Sequence, residues 1–299
     1  MRLTLLHFND LHGRLEQLPR LFQLARRERA AAQAEGGQVL LLDGGDSSDR
    51  ARWECEVTQG RANYSLLEAM GVQAGVIGNG EAVNWGRPAL AKIVASVNFP
   101  LLAANLVDAA DPTRLAVPGL KASLLLHLAG FPLGLIGLTQ SYNDGYGRCG
   151  YGAVDSRVVL RREIDGLRAQ GARLIVLLSH LGLTLTPAGA AYDPPEALYD
   201  DAVADGFPEI SIIVGGHTHT ALEAPLLVKQ TIIVQAGDFG RYLGRLDLAV
   251  DDATGRVVDY SGRLIPCGAG VPPDPTIQGT LELVEEEAGR LRRLVQQPK

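Results

Sequence analysis

Residues 215–219 read Gly-Gly-His-Thr-His and follow Ile210-Ser211-Ile212-Ile213-Val214, a β-branched run of buried-strand type. Two histidines one residue apart, directly after a strand and a glycine pair, suit metal ligation better than packing. In an extended loop His217 and His219 point the same way and Thr218 points away. The glycines let the backbone turn tightly and let an ion come close. Alone, this stretch reads equally well as a polar loop that happens to hold two histidines. Four other strand-like runs decide between the readings. Asp10 and His12 repeat the spacing in Asn9-Asp10-Leu11-His12-Gly13, Asp46 closes Asp43-Gly44-Gly45-Asp46, Asn79 lies in Gly78-Asn79-Gly80-Glu81, and His180 lies in Ser179-His180-Leu181-Gly182. Four of the six histidines fall at these places, which chance scatter rarely produces. Cysteine is absent from the set, so thiolate sites are excluded. Carboxylate, amide and imidazole donors together suit two divalent metals of hard to borderline character, with Mn, Fe, Zn, Ni and Co compatible and Mn the first choice.

The elements that must position these residues follow from apolar periodicity. Strands are expected over residues 3–8, 39–42, 74–77, 101–104, 174–178 and 210–214, and helices over 15–34, 57–70, 88–97, 154–170 and 194–204. Hairpins are expected over 120–138, 225–235 and 243–264, a Gly/Tyr/Asn-rich loop over 139–152, a small-residue loop over 184–192, and a closing helix over about 275–296. Each donor lies at the carboxyl end of its strand, the edge where α/β sheets take ligands. The alternation of strands and helices, interrupted by hairpins, predicts α/β layers with mixed sheets.

A chain of 299 residues can bury a large core, and no long linker or internal repeat divides it, so one domain over 1–299 with its core over about 3–264 is expected. Net charge is −6 and Lys/Arg runs are limited to Arg26-Arg27 and Arg161-Arg162, which argues against a nucleic-acid backbone binder. A small phosphorylated partner stays open if metals supply positive charge. The N-terminus enters a strand directly without signal-peptide features, no apolar run reaches membrane-spanning length, and Cys55, Cys149 and Cys267 are scattered. A cytoplasmic protein without membrane attachment is the expectation; the oligomeric state is open.

Asp10-x-His12, Gly45-Asp46, Gly78-Asn79, His180 and Gly216-His217-x-His219, in that order, resemble the calcineurin-like metallophosphoesterases. The runs from Leu6 to Gly13 and from Asn98 to Leu106, and Val234-Gln235-Ala236-Gly237 followed by Tyr242-Leu243-Gly244, are similar to the catalytic domain of the 5′-nucleotidase branch. The resemblance implies a four-layer α-β-β-α sandwich with two mixed β-sheets. It implies that Asp10, His12 and His219 hold one metal, that Asn79, His180 and His217 hold the other, and that Asp46 bridges them. It further implies a phosphomonoesterase or phosphodiesterase, possibly of nucleotidase type, that works through a metal-bound hydroxide. Asp46 and Asn79 then count as catalytic, and Asn79 also as substrate-binding.

The sequence departs from the family pattern twice. The block at residues 78–81 usually carries histidine where this chain has Gly80, and that histidine helps protonate the leaving group. Either the substrates have good leaving groups, or another acid serves, or the protein binds a phosphorylated ligand with weak or no turnover. His127, Glu81 and Asp144 are the candidate acids, against plainer roles as a core histidine and two solvated loop residues. Cys149 has no obvious base to make it a nucleophile, and His7 reads as structural. The second departure is at the C-terminus, where the closing helix leads to the expectation of no separate nucleotide-binding domain. The loop at 142–151 holds Tyr146 for stacking and Arg148 for a phosphate, or else is a turn-rich surface loop.

Overall fold

The central strands are apolar on both faces, which requires cover on both sides. Along residues 3–8, Leu3 and Leu5 face one buried cluster while Leu6 and Phe8 face another. The same alternation divides Leu174, Val176 and Leu178 from Ile175 and Leu177. Each central strand is thus sandwiched, and the two sheets share the middle cluster.

The computed structural model describes residues 1–141, 143–184 and 197–296. In chain order the first half comprises β1 (Arg2–Phe8), a 3₁₀ turn (Leu15–Gln17), α1 (Leu18–Ala34), β2 (Gln38–Asp43), α2 (Trp53–Thr58), α3 (Arg61–Ala69), β3 (Ala74–Val76), α4 (Asn79–Asn84), α5 (Arg87–Ala95), β4 (Leu101–Leu102) and β5 (Leu106–Asp108). Then come β6 (Ser123–Leu128), β7 (Phe131–Thr139), α6 (Asn143–Arg148), β8 (Tyr151–Ala153), α7 (Ser156–Ala169) and β9 (Leu174–His180). The chain continues through α8 (Asp200–Gly206), β10 (Ile212–Val214), β11 (Leu226–Val228), β12 (Thr231–Val234), β13 (Tyr242–Val250), β14 (Val257–Pro266) and α9 (Pro275–Gln296).

Six strands form one mixed sheet in the order β14-β13-β1-β2-β3-β4, and six form a second in the order β11-β12-β10-β9-β7-β6. β1 to β4 run parallel, as do β7, β9, β10 and β12, while β13, β14, β6 and β11 are antiparallel additions at the edges. Helices α1, α3, α5 and α9 cover the first sheet and α7 and α8 the second. This is the four-layer α-β-β-α sandwich with two mixed sheets.

Several local expectations are corrected. The helix expected over 57–70 is two helices, because Gln59 and Gly60 take left-handed φ values of 52° and 85° between α2 and α3. The strand expected over 101–104 is only β4, because Ala104 N already donates to Gly137 O in the second sheet (2.8 Å). The glycine-rich stretch at 139–152 is not simply a loop: it forms α6 and then β8, which pairs with β5. Residues 185–192 of the expected small-residue loop, and 194–196 of the helix expected over 194–204, lie outside the described residues, and α8 forms the later part of that helix. Among the described residues no helix is long and apolar enough to cross a membrane.

Candidate metal centre

β1, β2 and β3 of one sheet and β9 and β10 of the other end at the same edge. The structure brings their donors together there. The expected extended loops are not what aligns them. Asp10, His12, Asp46, His217 and His219 all have left-handed backbones, with φ of 51°, 46°, 49°, 74° and 55°. Such conformations cost roughly 1–3 kcal/mol each and persist only where surroundings fix them. Asp and His are among the residues that tolerate them best. A cross-loop ladder does the fixing: Asp10 N donates to Gly45 O (2.8 Å), His12 N to Asp46 O (2.9 Å) and Gly13 N to Ser47 O (2.9 Å). Gly216 contributes close approach rather than a left-handed turn: a Cβ there would sit 2.8 Å from His180 Nδ1.

The donor atoms form two overlapping groups, Asp10–His12–His219 and Asp10–Asp46–His180, each with its atoms within 4.8 Å of one another. His12 Nε2 and His219 Nε2 are 3.1 Å apart, and Asp10 Oδ1 is 3.4 Å from the latter. His180 Nε2 lies 3.4 Å from Asp46 Oδ2 and 3.8 Å from Asp10 Oδ1. On the His180 side, His217 Nδ1 meets Asn79 Oδ1 at 3.0 Å, with the two imidazole rings 5.3 Å apart. Asp46 Oδ2 is also 4.0 Å from His12 Nε2, so Asp46 stands between the halves, and so does Asp10.

Groups behind the donors fix their orientation. His12 Nδ1 faces Asp49 Oδ2 at 3.3 Å, His219 Nδ1 faces Asp238 Oδ2 at 3.1 Å, and His180 Nδ1 faces Gly44 O at 2.7 Å. Each contact places the proton on Nδ1 and turns the Nε2 lone pair inward, the arrangement that tunes metal-bound imidazoles. Asn9 Nδ2 donates to Asp10 Oδ2 (2.6 Å), and Asp46 Oδ1 accepts from Gly80 N (2.7 Å), which leaves Asp46 Oδ2 for the site. A Cβ on Gly78 would overlap the Asp46 carboxylate, so only glycine fits there.

Charge is balanced inside this cluster. Burial would lower the His180 pKa, yet the Asp46 and Asp10 carboxylates push it up to about 10. His12 is pushed up to about 9, burial being outweighed by Asp49, Asp46 and Asp10. Asp46 and Asp10 move down in return: burial opposes this, and the neighbouring His180 and His219 outweigh it. The site therefore favours positive charge at the imidazoles' place, which divalent cations supply more fully. His180 Nε2 is buried with no hydrogen-bond partner, as a ligand nitrogen facing an ion would be. The donor set fits divalent metals with oxygen and imidazole ligands.

Glu81 is not a solvated loop residue. It is fully buried at the start of α4, where its carboxylate accepts from Asp46 N (3.2 Å), Gly78 N (3.1 Å), Ser48 N (2.8 Å) and Ser48 Oγ (3.1 Å). Burial and then the Asp46 charge raise its pKa to about 7. Burial and the Glu81 charge raise Asp43 to about 8. His127 is exposed near the end of the edge strand β6 rather than in the core. Tyr146 offers no ring to a ligand: it is buried against Tyr151, centroids 6.1 Å apart, and its hydroxyl donates to Gln140 O (2.6 Å). Arg148 is exposed at the end of α6. The side chain of Asp144 lies outside the described residues. Asp49, Asp238 and Asn9 were not singled out by the sequence, and Glu81 was weighed there only as a replacement acid, not as a buried clamp. For Asn9 and Asp49 the signal was proximity in sequence to a donor block, and Asp238 had none of that kind.

Two mixed sheets with aspartate, asparagine and histidine donors at their shared edge define a metal-binding α/β sandwich. Residues 3–221 match the calcineurin-like phosphoesterase family, and the chain belongs to that family. It is 32% identical to the uncharacterized metallophosphoesterase YunD of Bacillus subtilis over 251 residues, 84% of this chain and 50% of that protein. It is 31% identical to a 5′-nucleotidase of Vibrio cholerae over 296 residues, 89% of this chain and 51% of that one. The fold matches the crystal structure of a 5′-nucleotidase precursor from Thermus thermophilus with TM-score 0.78 at 23% identity, over 99% of this chain and 60% of that one. The chain spans about half the length of the curated relatives it matches.

Proposed function

We propose that this chain is a metal-dependent phosphoester hydrolase, acting on a small phosphomonoester or phosphodiester at a two-metal centre. Asp10, His12 and His219 would hold one ion and Asn79, His180 and His217 the other, with Asp46 shared. His180 Nε2, buried without a hydrogen bond and facing the carboxylates of Asp46 and Asp10 at 3.4 and 3.8 Å, is the observation that supports this reading most directly. Mn, Fe, Zn, Ni or Co suits the donors, with Mn the first choice. Bound divalent cations supply Lewis acidity toward phosphoryl oxygens. The chain's own residues do the rest of the positioning. Asp49, Asp238 and the Gly44 carbonyl keep the imidazole lone pairs inward. The neutral amide of Asn79 restrains the negative charge that an anionic substrate would meet.

Gly80 has no side chain with which to protonate a leaving group, and general acid catalysis is typically worth ~10²–10⁴-fold. Esters with good leaving groups are therefore the expected substrates. A panel of aryl and alkyl phosphomonoesters and phosphodiesters, assayed under several metals, tests this. Hydrolysis biased strongly toward aryl esters supports the proposal, and equal rates on alkyl esters contradict the leaving-group argument. Gly80 also favours a second reading, a metal-loaded relative that binds a phosphorylated ligand with little turnover; negligible hydrolysis across the panel by metal-loaded protein would favour it. Gly80→His then separates a missing acid from a remodelled pocket. A Cβ at position 80 lies 3.0 Å from Asp46 Oδ1, so Asp46 must give by a few tenths of an ångström for that variant to work.

A further inference from the structure

Beside the donors stands a cation that has no carboxylate partner among the described residues. Phe239 has a left-handed backbone, φ 53°, which is rare for a bulky side chain. It is held by Phe239 N donating to Asp10 O at 2.7 Å. An outlier fixed this firmly next to a site is a reason to look for its use. It sets the ring edge-on to His12 and His219, with centroids 5.6 and 5.7 Å apart. On that ring rests the Arg14 guanidinium, with Cζ 4.9 Å from the centroid.

The neighbouring arginines are engaged: Arg52 pairs with Glu16, Arg50 with Glu56, and Arg241 with Asp238. Among the described residues the Arg14 side chain has no carboxylate within ion-pair distance and no hydrogen bond. It is half-buried, beside a cluster that holds Asp10, Asp46, Asp49 and Asp238. Stacking occupies one face of a guanidinium and leaves its in-plane N–H donors free. Those donors match the paired oxygens of a phosphate or carboxylate. Arg14 touches the centre only through the Phe239 ring and contacts no donor atom. This placement, behind the Phe239 ring rather than among the imidazoles, fits an anion lying beside the phosphoryl group.

We infer that Arg14, resting on Phe239, binds a second anionic group of the substrate, a phosphate or carboxylate, so that esters carrying an additional negative charge are preferred. This rests on the hydrolase reading above. The test compares kcat/KM on aryl esters, 3-carboxyphenyl phosphate against 3-carbamoylphenyl phosphate and resorcinol bisphosphate against resorcinol monophosphate. Metal-loaded full chain is used in wild type, Arg14→Gln, Arg14→Lys and Phe239→Leu forms, with thermal unfolding monitored to verify folding. In wild type the more anionic member of at least one pair should lead by about tenfold or more, the size of one charge-assisted hydrogen bond. Arg14→Gln should bring that ratio close to one, through KM rather than kcat. Arg14→Lys should recover part of it, and Phe239→Leu should lower it in the same direction. A ratio equal in wild type and Arg14→Gln overturns the inference, even if both rates fall together. If the wild type hydrolyses the esters without discriminating by charge, only the Arg14 inference fails. If it hydrolyses none of them under any metal, the hydrolase reading fails and takes this inference with it.

Discussion

A buried carboxylate that accepts hydrogen bonds from two loops holds them as one piece, and Glu81 does this for the Asp46–Ser48 and Gly78 segments. In Glu81→Gln, the amide NH₂ must face backbone N–H groups whichever way it is turned. The variant should lose about 2–4 kcal/mol of stability, read from urea unfolding at pH 8. A loss under 1 kcal/mol would mean that the clamp is not structurally important. Asp49 and Asp238 act one step further out, through His12 and His219. Asp49→Asn should weaken divalent-metal affinity by about 10–100-fold in competition with a chelating dye, while leaving the fold intact. At this scale the sequence showed the donors by residue type, because aspartate, asparagine and histidine next to glycine at strand ends are uncommon outside sites. It did not show how they converge. Alternation in an extended loop was the natural expectation, whereas left-handed residues 10, 12, 46, 217 and 219 do the aiming. Nor did it show Asp238, which reaches His219 only through tertiary folding.

Strands were the most legible elements, since Leu3, Leu5 and Leu6, or Leu174 to Leu178, are apolar on both faces for the reason that sheets lie between two layers. Glycine-rich segments were least legible. Tyr146 and Tyr151 fill the core from α6 and β8, where composition suggested a surface loop. His7 shows how much an element can demand of one residue. It follows Leu3 and Leu5 on β1, sits opposite Gly244 on β13, and burial alone lowers its pKa to about 4. The unfolded chain takes up that proton near pH 6.5, and the folded chain does so only near pH 4. Stability from this group is thus complete above pH 6.5 and falls as the pH drops toward 4, by about 3 kcal/mol at one pKa unit per 1.36 kcal/mol. Comparing stability from pH 7 to pH 4 in wild type and His7→Gln checks this. The variant's curve should be flatter over that window, and parallel curves would contradict the assignment.

The whole molecule joins two sheets at one edge, and the candidate centre spans the joint, with Asp10, His12, Asp46 and Asn79 from one sheet and His180, His217 and His219 from the other. Ions bound there would tie the sheets together. At a free metal concentration ~1,000-fold above Kd, binding adds about 4 kcal/mol, so chelation should lower Tm by roughly 5–10 °C. An unchanged Tm would argue against a cross-linking role. The four-layer architecture was legible through the ordered donor blocks and their family resemblance rather than through periodicity, which indicated only mixed α/β layers. The central claim is that these seven residues hold divalent metals, and elemental analysis of chain purified without chelators tests it most directly. About two divalent ions per chain are expected, with a clear loss in Asp46→Ala and His180→Ala. No bound metal in the wild type, and none taken up on dialysis against Mn, Fe, Zn, Ni or Co, would contradict the claim.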